Sequence, residues 1–403
     1  MTIRLGRRHA LALSGLSAAG ALGGCGFSSP ASGLLTSEAP LQVKPAPAVP
    51  TPALPPVRFP QDEAPHDVLA EWWYYTGHLY TDSIPEEEFG FEFVFFRGIR
   101  GDRPPGYAAH FAVTDVARER FAYDQRQDVA LNEAARPAEP STIGQTVQPR
   151  PAGHVALVAA SGGFDLALGD WWMRGLAGRD TLRATMAADN APRYALDLGL
   201  SATRAPALHQ GVPPLQPGLI SFGPAGYSYY YSRTRMDARG TLTVDGMPRQ
   251  VHGEAWMDHQ WGDFLVLGGG GWDWFAANLD DGRDLTFSII RDDLGRTIIA
   301  YGTLVTANGD AVHLPPGSFE IEALDTWSSP RTGVTYPSGW RLRVPDHGLD
   351  VTADPLLRDQ ELDTRRSTGV VYWEGAVAIR DSGTSTERGK ALGRGYVELT
   401  GYK

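Results

Sequence analysis

The sequence predicts an antiparallel all-β fold, and three features of the chain beyond residue 65 lead to this prediction. Short segments rich in aromatic and β-branched residues recur, beginning with Glu71 to Leu79 and Phe89 to Arg97. No run of a dozen residues repeats its apolar positions with the period of a helix. Turn-forming dipeptides separate several of the later segments: Asp245-Gly246, Asp281-Gly282 and Asn308-Gly309. Many short strands joined by turns are typical of a sandwich or a barrel.

The first 24 residues are predicted to be a lipoprotein signal peptide. Three arginines among the first eight residues precede an apolar run at 10–22, which has the length of a signal sequence rather than a membrane span. The tetrapeptide Leu-Gly-Gly-Cys that ends at Cys25 resembles a lipobox, and Cys25 is the only cysteine. We therefore expect an exported lipoprotein, anchored through Cys25 to a membrane of the periplasm or cell surface. The arginine pair at residues 7–8 is compatible with the twin-arginine route or an ordinary signal.

The rest of the chain divides into a tether and two domains. Residues 25–62 contain nine prolines and no periodic apolar pattern, which predicts a semi-extended linker. The similar tripeptides Glu71-Trp72-Trp73 and Glu254-Ala255-Trp256 suggest two similar domains, which we place at residues 63–235 and 236–403.

Composition excludes several functional classes. The net charge of −11, without a basic cluster after the signal, argues against a nucleic-acid partner. Lipidation of Cys25 leaves no cysteine for a disulfide, so the fold must rest on its core. No His-x-His or cysteine pair predicts a metal site, and no cofactor is predicted. The absence of Gly-x-Ser-x-Gly weighs against a serine hydrolase.

Six motifs run in order through the chain: residues 71–79, 95–97, 109–115, 256–262, 372–375 and 395–402. Together they resemble the carotenoid 1,2-hydratase and AttH-like group of lipocalin-like proteins, whose members are also labelled predicted secreted hydrolases. The resemblance spans roughly residues 65–403. It implies two tandem lipocalin-like antiparallel β-barrels that enclose an apolar site, with an apolar isoprenoid or lipid as the ligand.

The hydratase branch of that group adds water across an isolated alkene at the end of a carotenoid or acyclic isoprenoid. This chemistry requires a carboxylic acid that stays protonated near neutral pH, aromatic faces beside the developing cation, and a base for the attacking water. The catalytic candidates in this sequence are Asp258, His259 and Asp273.

Strand alternation restricts how these candidates can meet. A straight strand places Asp258 with Trp256 on one face and His259 with Trp261 on the other, whereas a bulge or turn at Gly262 could bring them together. Asp273, between two tryptophans, is the second candidate for the acid.

The predicted ligand-binding residues are mostly aromatic: Trp72, Trp73, Tyr75, His110, Trp256, Trp261 and Trp274. Structural roles remain open for His259, as a hydrogen-bonded core histidine, and for His110, whose partners could be Asp115 and neighbouring strands. Glu71 and Glu374 are expected to be exposed carboxylates on strand edges. The four glycines at 268–271 predict a flexible loop at a barrel mouth.

Three functions fit these observations: a hydro-lyase acting on an apolar isoprenoid or lipid, a non-catalytic carrier of such a ligand, and a secreted hydrolase. A buried, unpaired carboxyl in the pocket would favour the enzyme, because a carrier gains nothing from burying an ionisable acid. Export argues against carotenoid synthesis in particular.

Overall fold

The structure, a computed structural model, describes seven stretches of the chain: residues 54–99, 105–127, 162–186, 194–211, 216–264, 270–383 and 389–403. The predicted signal peptide, Cys25 and most of the tether lie outside them, as do residues 268–269 of the glycine run. Within these stretches, no helix has the length and apolar character needed to cross a bilayer.

Two curled antiparallel sheets form two tandem barrels, which confirms the predicted all-β fold. The first sheet contains, in chain order, β1 (Ala70–Thr81), β2 (Glu88–Gly98), β3 (Gly106–Asp115), β4 (Arg120–Gln127), β5 (Phe164–Leu168), β6 (Trp171–Leu176), β7 (Arg179–Thr185), β8 (Tyr194–Ala202), β9 (Ala207–Leu208), β10 (Leu219–Ser221), β11 (Gly226–Val244) and β12 (Met247–Phe264). Its spatial order is β4-β3-β2-β1-β12-β11-β8-β7-β6-β5, and β9 and β10 also pair with β11.

The second sheet contains β13 (Gly271–Leu279), β14 (Asp284–Arg291), β15 (Thr297–Val305), β16 (Ala311–Leu314), β17 (Glu320–Ser328), β18 (Thr335–Val344), β19 (Leu349–Pro355), β20 (Glu361–Asp363), β21 (Val371–Asp381) and β22 (Ala391–Thr400). Its order is β16-β15-β14-β13-β22-β21-β19-β18-β17, and β20 pairs with β21.

The chain changes sheet between β12 and β13, so the predicted boundary at 235/236 falls inside β11. The tripeptide Glu254-Ala255-Trp256, which suggested the start of a second domain, lies on β12, and β12 pairs with β1 along its length. The two similar tripeptides therefore lie on paired strands of the first barrel rather than at the openings of two barrels.

The hairpin between β11 and β12 follows the sequence prediction. Asp245 and Gly246 both have positive φ, 50° and 79°, as a two-residue type I′ turn requires. The pairing that begins at Val244↔Met247 is continuous as far as Met236↔Ala255, and a register shift between Arg233 and Met236 follows on β11.

Each barrel has its own aromatic core, and a third apolar cluster joins them. Inward-facing residues such as Trp73, Phe93 and Phe111 fill the first barrel, whereas Phe275 and Trp340 belong to the second. The third cluster lies between the barrels and includes Tyr74, Val94, Trp256, Trp274, Ala376 and Tyr396. Strands β1, β2, β12, β13, β21 and β22 are therefore covered on both faces.

A segment before β1 packs into the first barrel. The short 3-10 helix Gln61–Glu63 buries Glu63, whose carboxylate pairs with Arg233 and accepts the Ala177 N–H at 2.6 Å. The Trp73 indole N–H donates to the Glu63 carbonyl oxygen at 3.2 Å. Core side chains and this segment together fill the interior of the first barrel.

Candidate functional site

The three predicted catalytic residues face three different environments. Strand β12 pairs with β1 from Val251 to Gly262 without a register shift, so the bulge considered at Gly262 does not occur and alternation holds. Asp258 faces the second barrel and His259 faces the interior of the first. Asp273 shares its face of β13 with Phe275, in the second barrel. No common pocket contains all three.

His259 is a fully buried member of the first barrel's core. Its Nε2 lies 3.0 Å from Glu71 Oε1 and its Nδ1 lies 3.3 Å from the Tyr231 hydroxyl. The ring stacks on Trp73 and contacts Trp261 at centroid distances of 4.7 Å each. Burial lowers the pKa of His259 to about 4, despite the opposing effect of Glu71, so the ring is neutral at physiological pH.

Asp273 is tied to two neighbours. Arg291 Nη2 donates to its Oδ1 at 2.8 Å, and the Tyr402 hydroxyl donates to the same oxygen at 3.0 Å. Burial raises the pKa of Asp273, while Arg291 and Tyr402 oppose the rise. A carboxylate held by an arginine is suited to structure rather than to proton donation.

A narrow cavity of about 90 Å³ lies between the barrels. Its walls are largely aromatic and include three carboxyl groups, and none of the described lysines or arginines lines it. The lining residues are Trp72, Tyr74, Glu92, Phe96, Phe222, Tyr230, Asp258, Gln260, Phe264, Trp272, Trp274, Ser288, Ile290, Ile298, Tyr301, Tyr372 and Glu398. Both barrels contribute, so the cavity exists only when they are packed together.

Of the three predicted catalytic residues, Asp258 lines this cavity, and its carboxylate accepts hydrogen bonds from three donors. The Tyr230 hydroxyl and the Trp256 indole N–H each donate at 2.6 Å, and the Ser232 hydroxyl donates to the oxygen that Trp256 also contacts. Burial raises the pKa of Asp258 to about 7, and the three hydrogen bonds limit the rise because they stabilise the charged form.

Glu92 is a cavity acid that the sequence did not single out. Its Oε1 accepts a 3.2 Å hydrogen bond from the Tyr372 hydroxyl, whereas its Oε2 is buried and has no hydrogen-bond partner among the residues that the structure describes. Burial, followed by the charge of Glu398, raises the pKa of Glu92 to about 8. This carboxyl is therefore protonated at neutral pH.

Two further carboxyls lie close to Glu92 on the second barrel. Glu374 on β21 and Glu398 on β22 are directly opposite each other in register, where like charges repel. Burial and the charges of Glu398 and Glu92 raise the pKa of Glu374 well above its ordinary value, and burial raises that of Glu398 to about 7. The Tyr74 hydroxyl donates to Glu374 Oε1 at 2.6 Å, while none of the described residues forms a hydrogen bond with Glu374 Oε2.

Two buried histidines are each connected to a cavity acid through one intervening hydroxyl group. His110 Nδ1 lies 2.7 Å from the Tyr372 hydroxyl, which contacts Glu92. His209 Nε2 lies 2.6 Å from the Ser232 hydroxyl, which donates to Asp258. Burial lowers the pKa of each histidine to about 3, so both rings are neutral.

The predicted ligand-binding aromatics divide between the two environments. Trp72 and Trp274 line the cavity, and Trp256 packs beside Trp274 and holds Asp258. Trp73, Tyr75 and Trp261 are buried instead in the core of the first barrel, among aromatic neighbours. His110 contacts Tyr372 and Ser367 of the second barrel rather than Asp115.

The expectation that Glu71 and Glu374 are exposed at strand edges is wrong, since both are buried. β1 and β21 are central strands whose two faces are covered by a barrel interior and by the other barrel. Alternation alone would have placed Glu92 on the face of Val94, and Glu398 on that of Tyr396. It could not have shown that a second barrel covers these faces.

Among the described residues, His66, Glu71 and His259 are the group that could hold a metal ion, with ligand atoms within 4.8 Å of one another. Glu71 already receives the His66 backbone N–H and both imidazoles, and Arg97 lies 3.6 Å from its Oε2. Hydrogen bonds from the two histidines lower the pKa of Glu71 against the effect of burial. These hydrogen bonds stabilise the ionised form of the Glu71 carboxyl.

The fold and the site define a class of tandem β-barrel proteins with an acid-containing aromatic cavity between the barrels. The chain belongs to the AttH-like family, whose sequence profile matches residues 50–402.

The solved structures similar to this chain include the following two. An AttH protein from Nitrosomonas europaea is 32% identical, covers 89% of this chain and 100% of its own, and superposes with a TM-score of 0.69. Kievitone hydratase from Nectria haematococca is 19% identical, covers 87% of this chain and 94% of its own, and has a TM-score of 0.59, which shows a shared fold. Comparison with curated protein sequences gives no significant match.

Proposed function

We propose that the protein is a hydro-lyase that adds water to an alkene in the cavity between its barrels. The observation that carries this proposal is Glu92: a cavity carboxyl, protonated at neutral pH, with one oxygen buried and unpaired. A carrier would gain nothing from burying such a group, whereas an acid catalyst requires it. A hydratase with the same fold adds support.

The two cavity carboxyls on the first barrel suit opposite roles. Glu92 gives its proton to one alkene carbon, the π electrons form the new C–H bond, and a carbocation remains on the other carbon. The faces of Trp72 and Trp274 stabilise that cation. A water oxygen then bonds to the cation and releases a proton to Asp258, whose three donors favour its ionised form.

The ligand class follows from the cavity's size and walls. Pockets that enclose a whole ligand measure roughly 300–1,000 Å³, and this cavity, at about 90 Å³, holds only the reacting end of a longer molecule. The described walls are aromatic and include no lysine or arginine, which suits an apolar end. We propose the alkene terminus of an isoprenoid or related lipid, with no preference for carotenoids.

The test is hydration of a panel of farnesol, squalene and oleic acid in isotopically labelled water, followed by mass spectrometry. We expect the wild-type protein to incorporate labelled oxygen into at least one product. Glu92→Gln keeps the shape but has no acid proton, and we expect its rate to fall by about 10²–10⁴-fold.

A matched control is available inside the first barrel. Asp180 is also buried, has a pKa raised by burial to about 7, and accepts a hydrogen bond from Tyr75. Asp180→Asn should retain turnover. Equal rates for Glu92→Gln and the wild-type protein would refute the role assigned to Glu92.

We also propose that the mature protein is exported and lipid-anchored through Cys25. The signal-like first 24 residues and the lipobox-like tetrapeptide support this location. The substrate would then be an exogenous or envelope lipid rather than a biosynthetic intermediate of the cytoplasm.

A further inference from the structure

Two histidines and a glutamate meet on the face of β1 and β12 that is turned away from the cavity. His66, in the segment before β1, Glu71 on β1 and His259 on β12 place one ligand atom each within 4.8 Å of one another. His66 Nδ1 and His259 Nε2 lie 2.8 Å and 3.0 Å from the same oxygen, Glu71 Oε1. Two imidazole nitrogens and one carboxylate oxygen are a set of ligands that divalent transition metals favour.

Each histidine also has a polar group beside its second ring nitrogen. His66 Nε2 lies 3.6 Å from Asp62 Oδ1, and His259 Nδ1 lies 3.3 Å from the Tyr231 hydroxyl oxygen. A metal binds the unprotonated nitrogen of a neutral imidazole, so the ring proton must be on the other nitrogen. Asp62 and Tyr231 are placed to accept that proton in a hydrogen bond after small movements, as the outer partners of metal-bound histidines do.

The Glu71 carboxylate is oriented by contacts on its other side. The His66 backbone N–H donates to Oε2 at 3.0 Å and to Oε1 at 3.2 Å, and Arg97 Nη1 lies 3.6 Å from Oε2. Oε1 is therefore the oxygen that faces both imidazoles. The His66 side chain is 21% exposed whereas that of Glu71 is fully buried, so an ion can enter from the side of His66.

We propose that His66, Glu71 and His259 bind one divalent transition-metal ion, with Zn²⁺ as the best match to two nitrogen ligands and one oxygen. Small side-chain rotations bring the ligand atoms to the zinc bond lengths of about 2.0–2.2 Å. The ion would fasten the segment before β1 to β1 and β12. This inference does not depend on the proposed hydration, because the cavity lies on the opposite face of these strands.

The sequence did not predict this site because its ligands are far apart in the chain. Glu71 and His259 are separated by 188 residues and become neighbours only through the pairing of β1 with β12.

Zinc titration of the metal-free protein tests the proposal. The full chain is used without a histidine tag, after treatment with a chelator, and with Cys25→Ser in every sample because a free thiol also binds zinc. We expect calorimetry to show one Zn²⁺ bound per chain. The Tm should rise with zinc concentration, since the ion binds the folded state, and excess Mg²⁺ should not displace it because Mg²⁺ prefers oxygen ligands.

Two variants weaken the site in different ways. His66→Ala removes the most exposed ligand, and we expect zinc affinity to fall by at least about 100-fold. Asp62→Asn keeps all three ligands and acts only through His66, so zinc affinity should fall by about 10–100-fold while the Tm of the metal-free protein stays close to wild type. Asp62→Asn also keeps the test decisive if His66→Ala does not fold.

His252→Ala is the matched control. His252 lies on β12, like His259, and its Nδ1 is 2.8 Å from Asp82 Oδ1, but among the described residues this pair is not part of a three-ligand group. This variant should bind zinc as tightly as the parent protein.

Two results would overturn the proposal. One is a parent protein that neither binds Zn²⁺ in calorimetry nor gains Tm in its presence. The other is equal zinc affinity in the parent, His66→Ala and Asp62→Asn proteins, which would indicate adventitious binding elsewhere on the surface. Neither result bears on the hydration proposed for the cavity.

Discussion

The raised pKa of the Glu92 carboxyl makes the stability of the folded protein depend on pH. Its pKa is raised from 4.5 to about 8 in the folded protein. Between about pH 5 and pH 8 the unfolded chain loses this proton while the folded protein keeps it, so the free energy of unfolding falls as pH rises.

Glu92→Gln removes this linkage. We expect its Tm to exceed that of the wild-type protein at about pH 8, with a difference that shrinks toward about pH 5. Calorimetric unfolding across this range measures the effect. A Tm difference independent of pH would mean that Glu92 is not protonated in the folded state.

His259 illustrates a residue whose position the sequence could only partly predict. Strand alternation correctly placed His259 and Asp258 on opposite faces of β12. It does not identify Glu71 and Tyr231 as the neighbours of His259, because they lie on other strands. We expect His259→Ala to lower the free energy of unfolding by about 1–3 kcal/mol, because a buried carboxylate loses a donor.

Thermal unfolding and ligand-induced tryptophan quenching on the same samples test this role. A structural His259 predicts a lower Tm, and a loss of binding no greater than the loss of folded protein. Normal unfolding and binding with no turnover would instead make His259 catalytic.

The cavity acids show why part of the site could not be predicted. Asp258, Trp72 and Trp274 were among the candidates because they lie in aromatic motifs. Glu92 is a single acid in an otherwise apolar strand, and its partner Tyr372 is 280 residues away. Such partnerships depend on how the barrels pack, which strand alternation does not determine.

Individual strands were predictable where aromatic and β-branched residues are dense. β1 and β2 lie where the sequence indicates. β7 has a weaker signal in the sequence, because Arg179–Thr185 combines arginine, aspartate and alanine with few strong strand formers. Burial alternates cleanly along β7, so packing in the barrel outweighs local propensity there.

The contact between β2 and the second barrel depends on a glycine. A Cβ atom at Gly90 would lie 2.6 Å from both the Ala376 Cβ and the Tyr396 hydroxyl oxygen. We expect Gly90→Ala to push the barrels apart, with a loss of about 1–3 kcal/mol in unfolding free energy and weaker ligand binding.

Gly199 provides the comparison on β8, because a Cβ atom there would meet nothing closer than 3.8 Å. Gly199→Ala should leave unfolding and binding close to wild type. Equal behaviour of the two variants in denaturant titrations would show that the barrels tolerate separation at Gly90.

At the level of the whole molecule, the tandem barrels create a site that neither possesses alone. The predicted two-domain organisation is correct, although β12 belongs with the first barrel and the predicted boundary does not mark the change of sheet. The face that β1 and β12 present to the second barrel carries Tyr74 and Asp258. The motifs at residues 71–79 and 256–262 therefore contribute to the same wall of the cavity.

The proposed anchor predicts where the protein resides. We expect Cys25→Ser to move the exported protein from the membrane to the soluble fraction, because loss of the acyl chains removes most of its membrane affinity. Fractionation with a carbonate wash measures this. A Cys25→Ser protein that still sediments with membranes would contradict lipid anchoring.

The central claim is that a carboxyl between the barrels stays protonated at neutral pH, and it can be measured without a substrate. NMR titration of protein labelled at the glutamate carboxyl carbons, with Glu92→Gln to assign the signal, reports this group directly. We expect Glu92 to titrate near pH 8, far above the 4.5 of an ordinary glutamate. A Glu92 signal that titrates in the ordinary acidic range would contradict the acid role and the proposed hydration mechanism with it.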